Sequence, residues 1–457
     1  MRTKITLKSA AALLAAASLV SPAFANNGAE HQGIPHLDHV FLIMMENHGY
    51  YQVLNNPNEP YLNYLISSGK VNLATNYFAV GHPSLTNYLE VVGGSNFGVR
   101  SDNSPNWGSA SCTPNIASGI VNADNAGGNA PVQVDTGSVC PISGTGNDAE
   151  TPAVDNWNEV GTDSKGNIVV PYLADLDGVK SIPAAPATGI TIADQLVNAG
   201  KTWKSYQETL PLGSVFGVNY SNGTVTNLDF DSTGHSTLLA PLTSKSVVQA
   251  YAVKHNPFAY FKSVQEGTPR GNGLENVVGF DGPDGLYADL ARGDVPSFAF
   301  IAPNQCDDQH GRGNADAFCA FDFGDVNGFT NGTTANLNPG LIQQGDVSIQ
   351  RLVEAIHASP AWHEGHSAIV IVWDENDYSG ITSTPNGLFP PVNQNKVVLT
   401  VETNRGNHGV QSSNYYNSFS LLKSIEQALG LPCLNHACDP DVAAMSDLFG
   451  GGDHDNR

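Results

Sequence analysis

Five short stretches hold side chains whose types and spacing could do chemistry. In FLIMMENHGY (41–50) an apolar run gives way at once to Glu46, Asn47 and His48. In IVIVWDENDYSG (369–380) the adjacent acids Asp374 and Glu375 follow the most apolar run of the chain. Carboxylate and carboxamide oxygens are hard ligands suited to a divalent cation. Two neighbouring carboxylates repel unless a cation holds them. Each stretch alone also fits an ordinary strand-to-loop transition or a solvated turn, but a turn does not require paired acids directly after a buried Trp. In GHPSLTNYLEVVGG (81–94), Pro83 fixes the backbone before Ser84, and LTNYLEVV has a helical pattern. A serine at a helix N-terminus faces unpaired N–H groups and the positive dipole end, a good seat for phosphate; it is also an ordinary capping residue. IAPNQCDDQHG (301–311) gathers Asp307, Asp308 and His310, compatible with a second metal, a proton donor or a loop held by Cys306. NRGNHGV (404–410) carries His408 in a Gly/Asn loop.

Other chemistries find no support. There is no GxSxG nucleophile elbow. GKT at 200–202 lacks the leading Gly of a phosphate loop. HEGH at 363–366 spaces its histidines by three, not the four of a zinc-protease helix, and DFDSTG at 229–234 has Ala240 where a calcium loop needs Glu.

Positioning elements can be read around these stretches. HVFLIMM (39–45), SFAFIAP (297–303), AIVIVW (368–373) and KVVLTVE (396–402) are continuous apolar runs, the pattern of strands covered on both faces. Helical patterns lie at 191–203, at 348–362 with a stop at Pro360, and at 418–432 with Ser418 as cap and Gly430 as stop. Residues 93–185 are crowded with Gly, Asn, Ser, Asp and Pro and read as a loop-rich cap insertion. The fold class expected is a doubly wound three-layer α/β/α sandwich with a central, mostly parallel sheet. Ligands of such sheets bind beyond the carboxyl ends of the strands, where the polar residues above fall.

The chain has 457 residues, 40% hydrophobic and 14% charged, enough for a large core. A basic start (Arg2, Lys4, Lys8), the apolar AAALLAAASLV and AFA at 23–25 read as a signal peptide over 1–25, leaving 26–457 as one catalytic domain. No later run approaches the roughly 20 apolar residues of a membrane helix, so no stable membrane anchor is expected. The formal charge of −23 repels nucleic acid and anionic membranes and suits a small diffusible substrate. Six cysteines suggest disulfides in an exported protein, and pairing of neighbours (112–140, 306–319, 433–438) closes the shortest loops. The location expected is periplasmic or secreted.

Taken in order, MMEN, HPSLTNY, TIADQLVNAGKTWKSYQE, KHNPFAYF, PNQCDDQH, SPAW, VIVWDEND and LLKSIEQALGLP resemble the bacterial phosphoesterase family that includes acid phosphatases and phospholipases C. The resemblance runs from about residue 36 to 433 and implies an alkaline phosphatase-like fold. It implies that Glu46, Asn47, Asp374 and Glu375 bind a divalent metal cation, that Ser84 is the nucleophile, and that Asn87 contacts phosphate. It places His255 and Asn256 near the site through the HNP motif, with Asn256 on the phosphate side, and Asp308 and His310 in part of a DxHD motif, Asp308 as a further metal ligand. Two departures stand out: the last Asp of that motif is Gly311, and the His usual in HYSLLRTIE is Ser418. His408 is the candidate to replace the missing imidazole at the metal.

The activity so implied is an exported, metal-dependent acid phosphatase. It would hydrolyse phosphomonoesters through a phosphoserine, with His310 or His255 protonating the leaving alcohol. A phospholipase C or other phosphodiesterase is the alternative within the family. A non-catalytic binding protein on a decayed phosphatase scaffold is the alternative outside it.

Overall fold

A computed structural model describes residues 33–450 except 82, 100–101, 106–138, 148–160, 163–167, 170–185, 212–216, 220, 222–223, 226–247, 312–318, 321, 323–336 and 377–394. The expected signal peptide, Cys112 and most of the cap insertion lie outside the described residues. Eight strands form the central sheet: β1 (His39–Met45), β2 (Asn72–Ala74), β3 (Trp203–Gln207), β4 (Val277–Val278), β5 (Phe298–Ala302), β6 (Ser367–Trp373), β7 (Leu399–Thr403) and β8 (Gln411–Ser412). The principal helices are α1 (Pro60–Ser67), α2 (Ser84–Gly93), α3 (Ile192–Asn198), α4 (Leu286–Arg292), α5 (Pro339–Ala358) and α6 (Ser418–Ala428).

The sheet order is β4-β3-β5-β1-β6-β7-β2-β8. Strands β4, β3, β5, β1 and β6 run parallel to one another. Only β7 pairs antiparallel, with β6 on one side and β2 on the other. Every residue of β6 is buried and six of the seven in β1, so both faces of the sheet centre are covered, as the continuous apolar runs require. Two helix groups pack in this structure, α2 with α6 and α3, and α5 with α1 and α4. Each Val, Leu, Ile or Phe so buried contributes roughly 1.5–3 kcal/mol, which makes the ends of β1 and β6 rigid mounts.

The expected sandwich is the one observed, and three local readings are corrected. The helix begun at Thr191 ends at Asn198; Gly200 turns in the left-handed region (φ +71), and Trp203 opens β3. The helix before Pro360 starts at Pro339, earlier than its apolar pattern, and Pro360 begins a further turn capped by Ser359. α6 is capped by Asn417, whose Oδ1 accepts from the N–H groups of Phe419 and Ser420 at 3.1 Å, rather than by Ser418. Cys306–Cys319 and Cys433–Cys438 are disulfides; the first closes the loop that holds Asp308 and His310. Among the described residues no helix is long and apolar enough to cross a membrane.

Candidate active site

β1 and β6 lie in register with Met45 beside Trp373, so Glu46 and Asp374 leave the sheet side by side at its carboxyl edge. The Asp374 N–H donates to Met45 O at 2.9 Å, and the Glu46 N–H donates to Asp308 O at 2.8 Å, which ties the loop after β5 to the same edge. Asn47 has φ 66, a conformation Asn tolerates, and its N–H donates to Asp374 Oδ1 at 3.0 Å. The acid pairs of the two halves of the chain therefore meet.

α2 delivers the hydroxyl. Ser84 is its first residue, after an extended Pro83. Ser84 Oγ lies 3.0 Å from Glu375 Oε1 and 3.1 Å from Glu46 Oε2, and it accepts from Lys254 Nζ at 3.0 Å. A hydroxyl has one proton and can satisfy only one of those carboxylates. Glu46, Asp374 and Glu375 are all buried and each offers an oxygen within 4.8 Å of the others. Asp374 Oδ2 is buried with no hydrogen-bond partner among the described residues. Burial, then the charges of Glu46 and Glu375, pushes the Asp374 carboxyl well above its ordinary range. A buried, triply acidic cluster with Asp374 Oδ2 left unbonded among the described residues fits a divalent cation.

Around this cluster the other expected residues take different places. Asn87 Nδ2 donates to Gly81 O at 2.7 Å and Glu375 Oε2 at 3.3 Å, and its Oδ1 accepts from the N–H groups of Val80 and Gly81. It thus ties the loop before α2 to the acid cluster. His255 lies between Glu46 Oε1 (2.7 Å from Nε2) and Asp308 Oδ2 (3.1 Å from Nδ1), its ring stacked on Tyr88 at 5.2 Å. Burial opposes charge on this ring, but the two carboxylates raise it to about 9. Burial likewise pushes Glu46 up, yet the positive charges of His255 and Lys254 hold it well below the carboxylate range. Asp308 therefore faces His255, and burial raises it to about 6.

His310 Nδ1 is 2.9 Å from Gly311 O and its Nε2 is 3.1 Å from Lys254 Nζ. A carbonyl only accepts, so the ring proton is assigned to Nδ1 and the Nε2 lone pair faces the ammonium. Burial and the Lys254 charge lower this imidazole to about 3. Asn256 sits behind the cluster, accepting from Ser205 Oγ at 3.3 Å and donating to Tyr251 Oη at 3.1 Å. His408 is not brought to the site. It follows β7, whose antiparallel course sets Thr403 beside Ala368 at the start of β6, and it is exposed with Nδ1 2.9 Å from Lys70 O. Gly311 stands at φ +80, where an Asp side chain would be strained.

Three residues of this site were not singled out from the sequence: Lys254, its ion-pair partner Asp102 (Nζ to Oδ2 3.0 Å) and Tyr88. The signal for Lys254 was its place beside His255 in KHNPFAYF; Asp102, in a loop, carries none.

Residues 52–320, more than half of the chain, match the Phosphoesterase family. The chain belongs to the Phosphoesterase family. The span that places it there holds Ser84, Lys254, His255, Asp308 and His310, while Glu46, Asp374 and Glu375 flank it. Among this phosphoesterase's relatives is an acid phosphatase of Aspergillus fumigatus, 25% identical over 270 residues, covering 59% of this chain and 36% of that protein. Another is a phosphatidylinositol-3-phosphatase of Mycobacterium tuberculosis, 30% identical over 96 residues, covering 21% of this chain and 31% of that protein. In both cases the chain spans well under half of the relative's length. Of solved structures, a protein in the alkaline phosphatase superfamily from Vibrio parahaemolyticus matches with 11% identity and a TM-score of 0.39, over 89% of this chain and 72% of that one.

Proposed function

We propose that this phosphoesterase is an exported acid phosphatase that hydrolyses phosphomonoesters. In this reading Ser84 Oγ attacks phosphorus, and Glu46, Asp374 and Glu375, with Asn47 beside them, hold a divalent cation. The observation that carries the reading is the Ser84 hydroxyl, 3.0 and 3.1 Å from two carboxylates of a buried acidic triad. A hydroxyl is a weak nucleophile at neutral pH, and a divalent cation bound there would lower the cost of negative charge on it and on the phosphoryl oxygens.

The chain's own residues then do the rest. The N-terminus of α2 and Lys254 present positive ends toward the incoming phosphoryl group. Both Glu46 and Glu375 border Oγ, and Glu375 is the acceptor for its proton, since the positive charges beside Glu46 keep that carboxyl ionised. His255 is the remaining candidate for the leaving-group proton, since the proton of His310 points to Gly311 O. Water then hydrolyses the phosphoserine. The names of the relatives, an acid phosphatase and a phosphatidylinositol-3-phosphatase, support a monoester over a diester substrate. The disulfides Cys306–Cys319 and Cys433–Cys438 support an oxidising, extracytoplasmic location.

The test compares 4-nitrophenyl phosphate with bis-(4-nitrophenyl) phosphate and phosphatidylcholine, for the wild type and Ser84→Ala. Monoester turnover should dominate, and Ser84→Ala should lose at least about 10³-fold of it with metal content retained. Preference for either diester would move the protein to the phospholipase C side of the family. Substantial turnover by Ser84→Ala would remove Ser84 as nucleophile.

A further inference from the structure

We infer that Lys254 is a catalytic residue of this reaction: its ammonium donates to Ser84 Oγ as that oxygen attacks phosphorus, and again as it leaves the phosphoserine. The inference rests on the reading of Ser84 as nucleophile and extends it to a group that the acidic cluster does not contain.

The placement of Nζ is fixed from three directions. It lies 3.0 Å from Ser84 Oγ, 3.0 Å from Asp102 Oδ2 and 3.1 Å from His310 Nε2. An ammonium has three N–H bonds and no acceptor, so each contact takes one donor. The residue is 9% exposed, which leaves its long side chain little freedom. Its mounts are also those of the cluster. Lys254 belongs to the single turn Val253–His255, and His255 is clamped between Glu46 and Asp308. Asp102 Oδ1 accepts from the Leu85 N–H at 3.1 Å, so the counter-ion of the lysine is bonded to the first turn of the helix that carries Ser84. Donor, nucleophile and acids are held as one body, the condition under which a fixed charge is most effective.

The surroundings of Oγ show what this charge does. Two of its contacts are carboxylate oxygens and the third is Nζ. While the hydroxyl keeps its proton, one carboxylate is satisfied. Once the proton has passed to Glu375, the Glu46 carboxylate still repels the oxygen, and Lys254 is the side chain that holds it. In the first step the Oγ–P bond forms as the bond from phosphorus to the leaving oxygen breaks. The Ser84 proton passes to Glu375, and the leaving oxygen takes a proton or departs as an anion. In the second step water oxygen bonds to phosphorus, the P–Oγ bond breaks and Oγ regains a proton. Lys254 remains an ammonium in both.

Geometry also decides which oxygen Lys254 serves. Attacking and leaving oxygens are roughly in line across phosphorus. A nitrogen at 3.0 Å from Oγ is on the attacking side, within reach of Oγ and an adjacent phosphoryl oxygen but not of the leaving oxygen. Loss of the ammonium should therefore slow good and poor leaving groups alike.

The experiment measures kcat and KM of Lys254→Met on 4-nitrophenyl phosphate and on an alkyl phosphate, with metal content and thermal midpoint beside them. The expected result is a fall in kcat of about 10²–10³-fold, by the same factor on both substrates, at unchanged metal content. Activity within threefold of wild type overturns the inference. So does a loss confined to the alkyl phosphate, which would make Lys254 a leaving-group acid. Should Lys254→Met not fold, Lys254→Gln carries the test, because its amide keeps a donor toward Asp102 while the positive charge is gone. A loss independent of leaving group again supports the assignment, and near-wild-type turnover again overturns it. A wild type that hydrolyses neither substrate would instead sink the phosphoesterase reading itself, and the inference with it.

Discussion

Asp289 in α4 and Asp374 after β6 are each 1% exposed, yet they are buried in opposite ways. Asp289 Oδ2 meets Lys204 Nζ at 2.5 Å and the Tyr206 hydroxyl at 2.7 Å, and its Oδ1 meets Arg292 Nη2 at 2.6 Å. Both oxygens are bonded, and two cations face one anion. Asp374 Oδ1 accepts two backbone N–H groups, from Asn47 and Glu375, and Oδ2 accepts none among the described residues. Two more carboxylates, of Glu46 and Glu375, each offer an oxygen within 4.8 Å of one of its own. A carboxylate that serves the fold is neutralised by the fold, because an unpaired buried charge is costly. A cluster left short of positive charge reads as a seat for something that brings it.

The difference should appear as opposite signs when each acid becomes an amide. Asp374→Asn should lower the divalent metal bound by the purified protein and remove most of its turnover. After chelation, the same variant should be more stable than the chelated wild type at neutral pH. The amide keeps the acceptor for Asn47 and Glu375 and turns a donor toward Glu46, so roughly 1–3 kcal/mol of repulsion and burial cost is relieved. Thermal unfolding with elemental analysis reads both effects. Unchanged metal content, or a chelated variant less stable than the chelated wild type, would break the comparison.

Asp289→Asn should do the reverse. It leaves Lys204 and Arg292 without their shared partner, and these side chains are 25% and 49% exposed, so water recovers part of the loss. A destabilisation of about 1–2 kcal/mol is expected, with turnover per folded molecule unchanged. A denaturant titration and a specific-activity measurement on the folded fraction separate the two. Loss of activity without loss of stability would mean that this centre is coupled to the site.

The parts legible in the sequence are those fixed by short-range pattern. HVFLIMM and AIVIVW could be read as strands because a sheet covered on both faces needs unbroken apolar runs. Their ends could be read as the site because Glu46 and Asp374 follow at once. What was not legible depends on direction and on distance. An apolar run does not say which way its strand runs, so His408 after β7 was expected at the carboxyl edge and lies at the other. Trp203 fitted a helical spacing yet serves β3, flanked by parallel partners on both sides. Lys254 gains its role from Asp102, 152 residues away in a loop with no pattern. The assignment of Asp308 and His310 as metal ligand and proton donor failed to anticipate the contacts they make with His255 and Lys254.

A third buried carboxyl sharpens the comparison through its pH dependence. Glu426 in α6 is 1% exposed. It has neither the paired cations of Asp289 nor the neighbouring acids of Asp374. Burial outweighs the amide donors of Gln195 and Leu434 and raises it from its ordinary 4.5 to about 9. This acid is kept neutral by its own proton. A raised acid holds its proton in the folded state while the unfolded chain releases it, so stability falls as pH rises from about 4.5 toward 9, by at most about 1.4 kcal/mol per unit. Gln cannot ionise, and Glu426→Gln should flatten that slope. The variant should unfold at a higher temperature than wild type at pH 8, and at nearly the same temperature at pH 5. Equal midpoints at both pH values would mean that Glu426 is already ionised and paired. It would then belong with Asp289, and the proton would cease to be a third way in which this fold buries an acid.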